Sequence, residues 1–312
     1  MVPILITCWS RPEKVFKLIE SIRPLAPKKI YVSCDGPNPE IIGNNAKVAQ
    51  TRKIIKNNIN WDCQLKTLFG ERNIGCRYGM TRAINWFFEN EMEGIILEDD
   101  CIPSKDFFIF CSSLLDKYRN NKKIWTISGN NFQDGNLRGN GSYYLSRYFH
   151  CWGWATWSDR WKNYDSDLNY WIKNDKYILL KNIFNIKKEQ IYWLKILNNL
   201  IFYEKPDSWA YRWALTCFAN NGLSLIPNKN LVNNIGFDYE ATNTSKGYIN
   251  TKIENGILPI VHPTELNRDI NADEFTFYNH FNTASIGFKI RKAISNPLYY
   301  PKRIKDLIFK KI

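Results

Sequence analysis

Gly94-Ile95-Ile96-Leu97-Glu98-Asp99-Asp100 is the stretch from which the fold is read. Its first four residues are apolar without alternation. A short apolar run of this kind is a strand buried on both faces, and such strands belong to parallel sheets covered by helices on each side. The run then ends abruptly in three acids. In open α/β sheets, ligands gather beyond the carboxyl ends of the strands. The three acids are therefore candidate ligand-binding groups.

The pattern repeats outward from this point. Val2–Cys8 is a continuous apolar strand, and Arg11-Pro12 opens a helix to about Arg23. Lys29–Cys34 is a second strand, ended by Asp35-Gly36-Pro37. A polar helix carrying Lys47, Arg52 and Lys56 follows, then a strand over Cys63–Phe69. Asn73-Ile74-Gly75 turns into a helix that runs through Trp86-Phe87-Phe88. After the acids come a helix, Pro103–Arg119, and a strand, Ile124–Ser128. The expected class is α/β: a Rossmann-like, mostly parallel sheet with helices on both faces.

The second half is less regular. Asp134–Ser142 is a Gly/Asn-rich loop, Tyr143–Tyr148 a strand, and Cys151–Trp161 is dense in tryptophan. Asp175–Tyr203 reads as amphipathic helix broken near Asn185, Asp207–Asn220 as a helix and Leu223–Pro227 as a strand. Asn228–Ser245 is a polar loop placed to close over a site. The expected organisation is a nucleotide-binding half over 1–133, an acceptor-binding and catalytic half of the same domain over 134–283, and a basic amphipathic tail over 284–312.

Composition narrows the function classes. The chain has 312 residues, 44% hydrophobic and 15% aromatic, enough for a sizeable core with rings to spare for stacking on sugar faces. Its net charge of +13 favours an anionic partner. Nucleic acid is disfavoured, because acids at the ligand-binding strand end repel phosphate unless a metal intervenes. None of the eight cysteines has zinc-site spacing. The first residues read as a strand rather than a signal peptide, and no apolar stretch is long enough to span a bilayer. The expected location is cytoplasmic, with the lysine- and arginine-rich tail as a possible peripheral contact to the anionic inner face of a membrane.

Three adjacent carboxylates repel one another, so a cation or hydrogen-bond donors should lie nearby. Mg²⁺ and Mn²⁺ take carboxylate oxygens and share themselves with substrate phosphates. Helix capping by Asp100 or Ser104 is the plain structural alternative. Asp35 can accept hydrogen bonds from a base or ribose, and Gly36 permits close approach. Arg11 is placed to meet base or phosphate. Asn73 and Gly75, at a helix start, present backbone N–H groups to phosphate. Arg77 is grouped with these donor-binding residues.

These motifs together resemble bacterial GT-A glycosyltransferases. The resemblance rests on Pro3–Thr7 with Arg11-Pro12, Ser33–Pro37, Asn73–Cys76 and Gly94–Ser104, and continues through Ser128–Phe132 and His150–Trp157. Such proteins often carry the label "hemolytic protein", which names no activity, and are similar in turn to N-acetylglucosaminyltransferase I. The resemblance covers roughly residues 2 to 245. It implies that Asp100 ligates the metal, that Asp99 contacts ribose or sugar, and that Glu98 contacts the donor sugar. It implies that Arg11 and Asp35 hold the uracil–ribose end, and that Trp152-Gly153-Trp154 walls the sugar site, with His150 beside it. It also implies a base just before a tryptophan-bearing helix, a position that Asp207 fills in Pro206-Asp207-Ser208-Trp209. Asn243 stands where relatives commonly have a histidine, which weakens that position as a metal ligand.

The expected function is an inverting, Mn²⁺- or Mg²⁺-assisted transfer of sugar from a nucleotide-sugar, UDP-linked, with UDP-GlcNAc as the candidate donor. The acceptor is a surface glycan or a lipid-linked glycan. Two alternatives stand beside it. A sugar nucleotidyltransferase shares the nucleotide fold and paired carboxylates but usually has a Gly-rich, Lys/Arg-bearing loop after its first strand, which Cys8-Trp9-Ser10-Arg11-Pro12 lacks. A non-catalytic carbohydrate-binding or toxin-like protein would have no reason to keep both Asp100 and Asp207.

Overall fold

The structure, a computed structural model, describes residues 2–237 and 252–282. By internal contacts the chain forms two units, Met1–Asp269 and Ile270–Ile312. The first unit holds the sheet. Its strands are β1 (Ile4–Cys8), β2 (Lys29–Cys34), β3 (Gln64–Phe69), β4 (Glu93–Glu98), β5 (Cys101–Pro103), β6 (Ile124–Ser128), β7 (Tyr143–Ser146), β8 (Trp154–Trp157), β9 (Leu223–Pro227) and β10 (Val232–Asn234). Its helices are α1 (Pro12–Ile22), α2 (Asn44–Asn58), α3 (Gly75–Asn90), α4 (Lys105–Tyr118), α5 (Ser158–Trp161), α6 (Asn169–Lys173), α7 (Lys176–Ile183), α8 (Lys187–Tyr203) and α9 (Trp209–Ala219). The described part of the second unit is α10 (Ile270–Thr276) and a π-helical turn, Phe277–Phe281.

Eight strands make one sheet in the order β3-β2-β1-β4-β8-β6-β9-β7. The pairs among β3, β2, β1 and β4 are parallel. β8 lies antiparallel to both β4 and β6, while β6 and β9 are parallel. The chain winds from β1 outward to β3, then returns to place β4 on the other side of β1. That reversal creates a crevice at the carboxyl ends of β1 and β4, the topological switch point where such sheets bind ligands.

Alternation along the strands builds two cores. Ile4, Ile6, Ile30, Val32, Ile95 and Leu97 join the apolar sides of α1, α2 and α4 in one cluster. The residues between them face the other way. Tyr31 meets Trp86 and Phe87 of α3 at ring distances of 5.2 and 5.1 Å. Trp154 stacks on Trp209 of α9 at 5.4 Å. The aromatic excess is thus largely core, as aromatic rings with large buried area often are.

Several boundaries differ from the sequence reading for local reasons. The helix expected from Pro103 begins at Lys105, because the Ser104 hydroxyl accepts from Phe107 N at 3.2 Å and caps it. The residues just before it form β5, paired antiparallel with β10. Within the tryptophan-dense segment, Trp154–Trp157 form β8, a wholly buried strand. The broken helix divides at 184–186 into α7 and α8. Strands on both sides of residue 133 share the one sheet. The tail 284–312 lies outside the described residues.

Candidate active site

A cleft of about 380 Å³ opens at the switch point. Thr7, Cys8, Trp9 and Arg11 line it from the end of β1, and Ser33 and Asp35 from β2. Glu98, Asp99 and Asp100 line it from β4. Clusters far apart in sequence therefore meet, as the parallel sheet requires.

Arg11 organises the acids. Its Nη1 donates to Asp99 Oδ1 at 3.1 Å and to Asp100 Oδ2 at 3.0 Å. One guanidinium does not balance three carboxylates. Burial, then the Asp100 and Asp99 charges, push Glu98 up to about 8 against the pull of Arg11. Burial also pushes Asp99 up to about 6, with Arg11 opposing it. Ile235 N donates to Asp100 O at 2.8 Å, and a Cβ on Gly236 would stand 2.3 Å from Asp100 Oδ2. Only glycine lets the chain after β10 approach the carboxylate this closely.

The donor set around Asp100 is carboxylate oxygen, which suits Mg²⁺ or Mn²⁺. Among the described residues, no three His, Cys, Asp or Glu side chains converge on a ready-made metal cage.

Asp35 has a different role in the fold. Its Oδ1 accepts from Gly36 N at 2.8 Å, and its Oδ2 accepts from Asn73 Nδ2 at 2.9 Å and Ile74 N at 3.0 Å. It thereby ties the end of β2 to the start of α3. A carboxylate has about four acceptor positions, so room for one further donor remains. The expectation that 73–75 offers N–H groups to phosphate needs correction. Ile74 N goes to Asp35, and Gly75 N to Asn73 Oδ1 at 3.2 Å. Asn73 and Gly75 still line the cleft.

Asp207 reaches the cleft from the far side with Ser208, Trp209 and Ala210. Its Oδ2 lies 3.5 Å from Arg77 N, and a Cβ on Gly75, where φ is +84°, would stand 2.9 Å from it. Asp207 does not cap α9: Ser208 is the residue at the N-terminus of that helix, and its side chain makes no capping hydrogen bond.

Other expected site residues lie elsewhere. Arg77 is 3% exposed, and its guanidinium donates to Ser166 O at 2.7 Å and Asp167 Oδ1 at 2.8 Å, outside the cleft. A Cβ on Gly36 would be 2.3 Å from Arg72 N, so this glycine admits a neighbouring backbone rather than a ligand. His150 is buried against Phe132, with Nδ1 3.2 Å from Asn130 O. Of the Trp-Gly-Trp segment, only Trp152 lines the cleft. Trp154 is in the core, and Gly153, at φ +65°, packs on Val232 with no room for a Cβ. Asn243 lies outside the described residues.

The cleft also holds residues that sequence reasoning passed over: Arg82, Cys76, Cys151 and Asn234. Arg82 follows the phosphate-loop candidate 73–75 by two helical turns, which was an available signal. Burial raises the thiols of Cys76 and Cys151, which keeps them neutral and unreactive.

Comparison with known protein families finds no match, and comparison with curated proteins finds none either. Among solved structures, HddC from Yersinia pseudotuberculosis is similar at 10% identity over 56% of this chain and 87% of its own, with a TM-score of 0.33. A cytidylyltransferase from Leptospira borgpetersenii serovar Hardjo-bovis is similar at 16% identity over 56% of this chain and 72% of its own, with a TM-score of 0.34. UDP-glucose pyrophosphorylase in complex with UDP-glucose is similar at 8% identity over 52% of this chain and 79% of its own, with a TM-score of 0.32. By their titles two of these are a cytidylyltransferase and a UDP-glucose pyrophosphorylase, and none is titled a glycosyltransferase, so the expected inverting sugar transferase finds no support among them; at these TM-scores the likeness carries no activity over to this chain.

Proposed function

We propose that this chain is a cation-assisted sugar nucleotidyltransferase acting in the cleft between β1 and β4. The observation that carries the reading is Arg11 bridging Asp99 and Asp100 at the switch point, beside an Asp35 fixed at the next strand end. In this reaction an oxygen of a sugar phosphate bonds to the α-phosphorus of a nucleoside triphosphate. The α–β anhydride bond breaks, and pyrophosphate leaves with the electron pair. Asp100 would hold a Mn²⁺ or Mg²⁺, which when bound would supply charge neutralisation on the phosphates.

The chain's own residues supply the rest. Asp35 takes a hydroxyl or imino donor from the nucleoside at its remaining acceptor position. Arg11 and Arg82 offset phosphate charge at the cleft, in place of the Gly-rich loop that the first strand end lacks. A phosphate nucleophile is already ionised at neutral pH and needs no base. Asp207 therefore accepts hydrogen bonds from sugar hydroxyls and positions the acceptor.

The test is pyrophosphate release by the full chain with Mn²⁺, over a panel of nucleoside triphosphates and sugar 1-phosphates. Release that requires both substrates supports the reading. A protein that binds nucleotide with Mn²⁺ yet releases no pyrophosphate with any pair contradicts it.

A further inference from the structure

We propose that the outer face of the α7–α8 hairpin docks on an anionic lipid bilayer. The two helices are joined by residues 184–186 and packed side by side. Lys176, at the start of α7, lies 5.1 Å over the ring of Phe202 at the end of α8 and donates to Asn198 Oδ1 at 2.9 Å. Their inner sides are buried through Leu180, Ile183, Trp193, Leu197 and Leu200.

The outer sides are not polar, as a solvated helix face would be. Ile191 is 57% exposed and Phe202 66%, and on α7 Tyr177 is 63% and Ile178 58% exposed. Lysines alternate with them. Lys188, Ile191, Lys195 and Phe202 fall on one helical stripe opposite Trp193 and Leu197. Between residues 176 and 203 the sequence has five lysines and one acid, Glu189, which is buried and accepts from the Tyr148 hydroxyl. The flanking acids are engaged locally: Asp175 caps α7, and Glu204 pairs with Arg77.

Apolar side chains of this size beside lysines, with no exposed acid between residues 176 and 203, match a bilayer surface. The rings and isoleucine enter the headgroup boundary while the ammonium groups meet lipid phosphates. A second copy of the chain fits less well, because a two-fold contact on this face sets lysines against lysines.

The test is co-sedimentation of the full chain with vesicles of phosphatidylcholine and phosphatidylglycerol in equal parts, against phosphatidylcholine alone. The variants are Ile178→Glu with Ile191→Glu, Lys181→Ala with Lys195→Ala, and Ile42→Glu at an exposed apolar residue elsewhere. All these positions are exposed, and melting curves verify that each variant folds. The docking face predicts binding to anionic vesicles only. It also predicts a loss of roughly fivefold per lysine removed, a near-complete loss for the double glutamate, and no change for Ile42→Glu. Three outcomes overturn it: undiminished binding of the double glutamate variant, no vesicle binding at all, or a dimer in solution that the same variant disperses.

Discussion

Asp35 has a structural role beside the nucleoside-binding role proposed for it. Three donors converge on its carboxylate, one from its own chain turn and two from the start of α3. Replacing it with alanine leaves those donors without an acceptor. Asp35→Ala should cost about 3 kcal/mol of stability, read from denaturant unfolding, and a cost below about 0.5 kcal/mol would show that the tie between β2 and α3 is not made. At this scale the sequence was informative where a polar residue directly follows a buried strand, as with Arg11, Asp35 and the Glu98–Asp100 run. It was misleading where packing decides the side chain's direction. Arg77 and His150 sit one or two residues from cleft residues, yet both turn into buried polar contacts. Residue type and spacing do not encode that choice.

At the scale of elements, the strands β1, β2 and β4 were legible from short apolar runs, and β6 and β9 from apolar runs broken only by the small hydroxyl residues Thr126 and Ser224. β8 was not legible as a strand, because Trp154 reads as a ring lining a sugar site, whereas the tryptophans of Trp154–Trp157 are buried. β5 and β10, three residues each, are shorter than any periodic signal. They matter nonetheless, since their pairing brings Gly236 against Asp100. α4 shows local chemistry overriding a proline cue. Ser104→Ala should remove the cap on Phe107 N and destabilise the protein by about 1 kcal/mol. Thermal unfolding checks this, and an unchanged melting temperature would mean that the cap contributes nothing.

At the scale of the molecule, the switch point follows from the order β2-β1-β4, which strand–helix alternation implies but does not specify. Stability should also carry a pH signature outside the cleft. The Tyr143 hydroxyl lies 2.8 Å from His262 Nδ1, and the Tyr118 and Tyr143 hydroxyls are 2.7 Å apart. Burial, with Lys117 adding to it, holds the imidazole below its ordinary 6.5. The folded state thus resists a proton that the unfolded state takes up. This contribution is present above pH 6.5 and is lost as pH falls from there through the folded value. His262→Gln should flatten stability against pH in that acidic window, and an unaltered slope would remove His262 as its source.

Of all the proposed contacts, the one between Asp100, a divalent cation and nucleotide phosphate bears the most weight. Titration calorimetry of a nucleoside triphosphate against wild type and Asp100→Ala, each with and without Mn²⁺, measures it directly. Wild type should bind far more tightly with Mn²⁺ than without, and Asp100→Ala should lose roughly tenfold or more of that affinity while remaining folded. Equal Mn²⁺-dependent affinity in the two proteins would contradict the account.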